Sequence, residues 1–263
     1  MTIVEHYLSP YEVNMDTVSD KMNLLIYGPQ GVGKTTLGGT AQDAEDMRSL
    51  LVLNFEGGLV SLAHRSGIRA IDIRSITDLE AVFWKLQRNE FPEIRTVMLD
   101  SLTEMQTLSL ENISAARRER KGITEQDQIS LEDYGRSTAQ LKRLMRWFRD
   151  LPMHTIMTAL PQTITIGQDE KPPDMRTPSI IKPALTNKLC DAVMGYVDFV
   201  WYYFSREKAG KVERVLITRD KGAVRAKTRG HNFAASLGDG VVIDPDLPGL
   251  FQKFQTTQRN KTS

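Results

Sequence analysis

The chain has 263 residues, 40% of them hydrophobic and 25% charged, as in an ordinary globular protein, which excludes a low-complexity or disordered tract as its main substance. That length suits one large α/β domain or two small ones. The formal net charge is +1, so any nucleic-acid surface must be a local patch, and the single cysteine, Cys190, excludes an internal disulfide.

Residues 1–20 carry weak signals and read as an N-terminal arm. Met1 to Tyr11 includes Glu5 and has no apolar core, so no secretory signal is expected there. Met22 to Tyr27 is a short apolar run, expected as a buried strand. A glycine-rich turn follows, then a helix from about Lys34 to Met47. Leu50 to Phe55 is the next buried strand, and Ala70 to Ile73 a shorter one. Thr77-Asp78-Leu79-Glu80 has the form of a capping box, with Leu79, Val82, Phe83 and Leu86 at helical spacing after it. Thr96 to Leu99 is a strand that ends at Asp100. Residues 102–116 look helical, and 117–133, polar and charged, read as a loop. Arg136 to Leu151 carries an apolar stripe of Leu141, Leu144, Met145, Phe148 and Leu151, and Pro152 stops that helix. His154 to Ala159 is a further strand. Residues 161–183 hold five prolines and read as a long loop. Tyr196 to Phe204 and Val212 to Thr218 form a hairpin joined by a polar turn. The longest apolar stretch, Val193 to Phe204, contains Asp198 and is too short to cross a bilayer. A cytoplasmic protein with no membrane partner is expected, in the host cytoplasm if the source is a phage. Strands alternating with helices imply a mainly parallel sheet covered on both faces, with the antiparallel hairpin at its C-terminal edge.

Gly28-Pro29-Gln30-Gly31-Val32-Gly33-Lys34-Thr35 fits G-x-x-x-x-G-K-[ST] at every fixed position. Glycines let backbone N–H groups turn inward around phosphate oxygens without Cβ clashes. The helix that starts there, through Thr36, adds its positive end. Lys34 can reach the β- and γ-phosphates, and the Thr35 hydroxyl can ligate Mg²⁺. The expected ligands are therefore a nucleoside triphosphate and Mg²⁺, and no motif separates ATP from GTP. Asp100, at the end of an apolar strand, is placed to hold the magnesium's water shell. Glu56, at the end of Leu50 to Phe55 and directly before Gly57-Gly58, can polarise an attacking water. An ordinary polar strand end is the alternative for both acids.

With these residues the chain resembles the RecA-like recombinase ATPases, and among them the small phage P-loop proteins that act as single-strand annealing proteins or minimal recombinases. The phosphate loop, the Asn54-Phe55-Glu56-Gly57-Gly58 strand end and the Met98-Leu99-Asp100-Ser101 strand end occur in that family's order. The resemblance spans roughly residues 22–230 and implies a RecA-like P-loop NTPase core over 21–240, followed by a C-terminal tail, 241–263. It implies Glu56 as catalytic base, Asp100 with Thr35 as metal ligands, and Thr158 or Gln162, with Gln162 favoured, as a polar sensor at the next strand end. It implies a homo-oligomer, ring or filament, with ATP between subunits. Lys227 and Arg229 would then act in trans on the neighbour's γ-phosphate, with Lys221 and Arg225 as further candidates. A basic surface turn is the simpler reading of these cations.

The family's DNA-facing loops would correspond to 117–133 and 161–183. The first begins with the cluster Arg117-Arg118-Glu119-Arg120-Lys121, net +3, with Tyr134 nearby as a stacking candidate. The second includes Arg176. The implied activity is DNA-dependent ATP hydrolysis in phage recombination or replication, annealing or strand exchange on single-stranded DNA, with a single-strand binding protein as a further partner. A helicase, helicase loader or packaging-type motor is an alternative, although many of those carry Asp-Glu where this chain has Asp100-Ser101. A nucleotide-gated binding module that barely hydrolyses is another.

Overall fold

The computed structural model describes residues 21–122, 129–165 and 179–259. Its centre is a nine-stranded sheet of spatial order β11-β9-β8-β1-β5-β4-β2-β3, with β10 paired to β8. β1 (Asn23–Tyr27), β2 (Leu50–Asn54), β3 (Arg69–Asp72), β4 (Thr96–Asp100), β5 (His154–Ala159) and β8 (Phe199–Lys208) run parallel. β9 (Lys211–Ile217) turns back against β8, and β11 (Val241–Ile243) turns back against β9. The antiparallel strands thus sit at one edge, as the hairpin pattern predicts.

The inner strands are continuous apolar runs because both faces are covered. Leu25 and Tyr27 of β1 point to one face, where Leu79, Phe83, Leu141, Phe148 and Val193 pack. Leu24 and Ile26 point to the other, against Leu37, Phe233, Phe251 and Phe254, as the two-residue strand period requires. The first face is covered by α2 (Ile76–Gln87), α3 (Leu102–Lys121), α4 (Leu131–Asp150) and α5 (Asn187–Tyr196). The second is covered by α1 (Lys34–Gly39), α6 (His231–Ser236) and α7 (Leu247–Arg259).

Several boundaries differ from the sequence expectation, each for a local reason. α1 ends at Gly39 and continues only as a 3-10 turn, Thr40–Asp43, because Gly38-Gly39 is poor helix material. Those glycines make room: a Cβ at Gly38 would lie 2.4 Å from Met98 Sδ. α2 is capped by Ser75 and not by Thr77: the Ser75 hydroxyl accepts from the Asp78 N–H at 3.1 Å. The hairpin strands reach closer to the turn than predicted, β8 running on to Lys208 and β9 starting at Lys211, because Ala209 and Gly210, both at positive φ, make a two-residue turn of the kind that suits strand twist. Within the predicted loop 161–183, β6 (Pro161–Thr165) and β7 (Ser179–Pro183) pair antiparallel as a separate two-stranded ribbon. The predicted tail 241–263 holds β11 and α7, and α7 buries Leu247, Leu250, Phe251 and Phe254 in the core.

The largest correction concerns 117–133. Helix α3 runs on through Lys121, and α4 begins at Leu131 behind a Ser130–Asp133 capping box. Arg117 is buried between the two helices, with its Nε 3.1 Å from Asp133 Oδ2 and side-chain exposures of 9% and 0%. It cannot touch DNA from there. The Ser130 backbone N–H, and with it the Ser130 hydroxyl and Arg117, hold the Asp133 carboxyl below its ordinary range. That stabilisation is present above the ordinary carboxylate pKa and fades only as pH falls through the lowered one. Removing one partner of a buried pair strands the other, so Asp133→Asn should cost about 3–5 kcal/mol. Urea denaturation of the variant checks this; a loss under about 1 kcal/mol would mean that water reaches the pair.

The α3–α4 hairpin also has a direction. α3 starts at the sheet's C-terminal edge, after β4, and α4 ends at the opposite edge, before β5. The two are neighbours along their length, with Ser109 Oγ 2.9 Å from Ser137 Oγ. Helices of twenty residues reach about 30 Å, against roughly 17–20 Å for these strands. The end of α3 and the start of α4 therefore lie beyond the edge where β1 ends.

Candidate nucleotide-binding site

Four parallel strands end together at the C-terminal edge of the sheet, and each delivers a functional residue there. β1 leads into Gly28–Gly33, which hands over to α1 at Lys34. Gly28 is required by close approach: a Cβ there would stand 1.9 Å from the Tyr203 carbonyl oxygen of β8, which no side chain tolerates. Its N–H donates to Ala159 O at 3.2 Å, fixing the loop to the end of β5. Gly31 and Gly33 take φ of 73° and 97°, conformations that glycine adopts without cost.

Lys34 is buried, and its Nζ donates to the carbonyls of Gly28 and Pro29, both at 2.9 Å. Burial lowers its pKa, while the nearby charges of Glu56 and Asp100 oppose that shift. The Thr35 hydroxyl donates to Asp100 Oδ2 at 2.6 Å. Asp100, itself buried, receives a second hydrogen bond on Oδ1 from the Thr158 hydroxyl of β5. The Ser101 hydroxyl donates to Glu56 Oε1, so the two acidic strand ends are linked side by side. Asn54, the last residue of β2, braces the turn that carries Glu56. Its Nδ2 donates to Asp72 Oδ1 at 2.6 Å and its Oδ1 accepts from the Gly57 N–H at 3.0 Å.

The predicted phosphate-loop residues, the two acids and Thr158 thus come together. Gln162 does not join them: its Nε2 donates to the carbonyls of Pro183 and Leu185 at 2.8 and 2.7 Å, tying β6 to the chain after β7. Of the two sensor candidates, Thr158 is the one that touches Asp100. Lys227 and Arg229 also lie apart. They follow the lower half of β8, where Lys227 pairs with Val200, and both bond within their own chain. Lys227 Nζ donates to Met194 O; burial, helped by the neighbouring Arg229, pushes its pKa down to about 8 against the pull of Asp198. Arg229 pairs with Asp198 at 2.9 Å and donates to Gly195 O at 2.7 Å. Lys221 and Arg225 are also paired within the chain, held by Asp239 and Asp220 at 2.9 and 3.0 Å. Arg176 lies outside the described residues. Arg118 and Arg120 stand near the C-terminus of α3, which Lys121 ends, and Leu131 and Tyr134 are exposed at the start of α4.

Tyr27, the residue before Gly28, sends its hydroxyl between two carbonyls, 3.0 Å from Ile181 O and 2.6 Å from Arg225 O. Sequence reasoning missed this contact, together with Ser101, Asn54 and a cation on β9, because each depends on partners far away in the chain.

A strand, a glycine-rich turn and a helix, with an acid two strands away that faces the loop threonine, define a RecA-like P-loop ATPase. Residues 20–230 match the family model AAA_24, an AAA domain, and the chain belongs to that family. Comparison with curated protein sequences finds no match. Among solved structures, the chain is similar to a KaiC-like protein from the hyperthermophilic archaeon Pyrococcus horikoshii OT3, at 14% identity and a TM-score of 0.43, covering 85% of this chain and 89% of that one. It is also similar to the flagellar accessory protein FlaH from Methanocaldococcus jannaschii, at 11% identity and a TM-score of 0.45, covering 86% and 87%. Among the described residues no helix is long and apolar enough to cross a membrane.

Proposed function

We propose that the chain hydrolyses ATP with Mg²⁺ and couples that cycle to single-stranded DNA, as a subunit of a homo-oligomeric ring or filament. The observation that carries the nucleotide part is the 2.6 Å approach of the Thr35 hydroxyl to Asp100 at the mouth of the loop. Both are hard oxygen donors of the kind magnesium takes. Bound there, the ion would neutralise phosphate charge and orient the terminal group.

The chain's own residues supply the rest. The loop N–H groups and Lys34 hold the phosphates. Glu56, steadied by Ser101 and Asn54, takes the proton of the attacking water. Asp100, fixed by Thr35 and Thr158, keeps one orientation. A trans role for Lys227 and Arg229 requires that they leave Met194, Asp198 and Gly195 on assembly. Lys221 and Arg225 need only exchange exposed carboxylates.

The DNA part rests on the basic end of α3, whose last turn carries Arg118, Arg120 and Lys121, and on Tyr134, an exposed ring in the first turn of α4. Cations with an aromatic platform suit a single strand. Fluorescence anisotropy of a labelled oligonucleotide, with and without ATP·Mg²⁺ across a salt series, tests it. Arg118→Ala with Arg120→Ala should weaken binding and flatten the salt slope by about 1.4, the share of two phosphate contacts on a single strand. An unchanged slope would place the DNA elsewhere. If the wild-type chain binds no DNA under any condition, a nucleotide switch or a motor acting through a protein partner remains.

A further inference from the structure

We infer that Arg214 is a nucleotide-binding residue supplied in cis, taking phosphate charge on the side of the loop away from Asp100 and Glu56. This deepens, and rests on, the ATP-binding reading. In the sheet order, β9 lies two strands from β1 on one side, while β4 and β2 lie two and three strands away on the other. The acids approach the loop from the β4 side, and Arg214 approaches it from the β9 side. Its side chain reaches back across β8, so that Nε lies 3.8 Å from where a Cβ on Gly33 would stand, and Thr36 Oγ1 lies 3.9 Å from the same point. Glycine at position 33 leaves open the space between the guanidinium and the start of α1.

The strand beneath Arg214 is fixed. Its N–H donates to Asp244 Oδ1 at 3.0 Å, and its carbonyl accepts from the Asp244 N–H at 2.7 Å. The guanidinium is free: among the described residues no carboxylate pairs with it, whereas Arg206 holds Glu213 and Arg225 holds Asp220. A planar five-donor cation parked beside a phosphate loop, with no anion of its own, is a ready partner for phosphate oxygens. Because it flanks Thr36 and not the acids, its partner is a phosphate that ATP and ADP share. A residue that reads the γ-phosphate would instead favour ATP.

The test is equilibrium binding of ATP and of ADP to the full chain, with steady-state phosphate release, for the wild type, Arg214→Ala and Arg214→Lys. Arg214→Ala should weaken ATP and ADP alike by about tenfold, the scale of one lost charge-assisted contact. The fall in kcat/KM should be carried by KM, and Arg214→Lys should recover part of the affinity. Equal affinity of wild type and Arg214→Ala for both nucleotides would overturn the role of Arg214 and leave the ATP site standing. A loss confined to ATP, or carried by kcat, would overturn its placement on the shared phosphates. A wild-type chain that binds neither nucleotide would overturn the ATP reading, and this inference with it.

Discussion

Glu56→Gln should bind ATP with nearly wild-type affinity and hydrolyse it about a hundredfold to ten-thousandfold more slowly, the range that a positioned general base supplies. The carboxylate lies two residues beyond the end of β2, accepts a hydrogen bond from the Ser101 hydroxyl, and has a turn behind it stitched to Asn54. Glutamine keeps the shape and the hydrogen-bond acceptor, so the loop and its phosphate contacts should survive. What goes is the ability to take a proton. Phosphate release and anisotropy of a fluorescent ATP analogue, run in parallel, separate the two effects. Wild-type turnover by this variant would remove Glu56 from the mechanism.

Lys34→Ala should lose both binding and turnover. A charge-assisted contact to phosphate is worth about 1.5–3 kcal/mol, or roughly ten- to a hundredfold in affinity. There is a second expected loss, in the nucleotide-free chain. The ammonium group closes the loop by bonding the Gly28 and Pro29 carbonyls, and alanine leaves that closure undone. Amide exchange of the loop should therefore quicken in Lys34→Ala before any ligand is added. Calorimetric titration with ATP gives the affinity; an unchanged value would sink the phosphate-loop reading.

How much could be read in advance differed by kind of residue. The phosphate loop was legible because its requirements are local: glycines for close approach, a lysine and a hydroxyl at fixed offsets. The inner strands were legible because burial on both faces makes their middles apolar, with polar residues mostly at the ends. Asp100 and Glu56 could be placed by their position at strand ends. The charged run 117–121 misled, because its helix is held by a pairing of Arg117 with Asp133 of the next helix, and local polarity argues only for solvent. The β6–β7 ribbon was hidden among prolines, with side chains only half-buried and no strong alternation. Arg214 carried no local signal. Its significance comes from the strand order, which brings β9 within side-chain reach of a loop more than 180 residues earlier.

Tyr27 acts as a rivet. The residue that ends the phosphate-loop strand also fastens two segments from distant parts of the chain, at Ile181 and Arg225. A shift of the loop on nucleotide exchange would be transmitted through one rigid ring to β7 and to the excursion that carries Lys221 and Arg225. Burial raises the phenol's pKa well above its ordinary value, so the rivet keeps its proton through the physiological range. Any gearing between nucleotide state and these two segments is therefore built on a joint that acidity does not loosen.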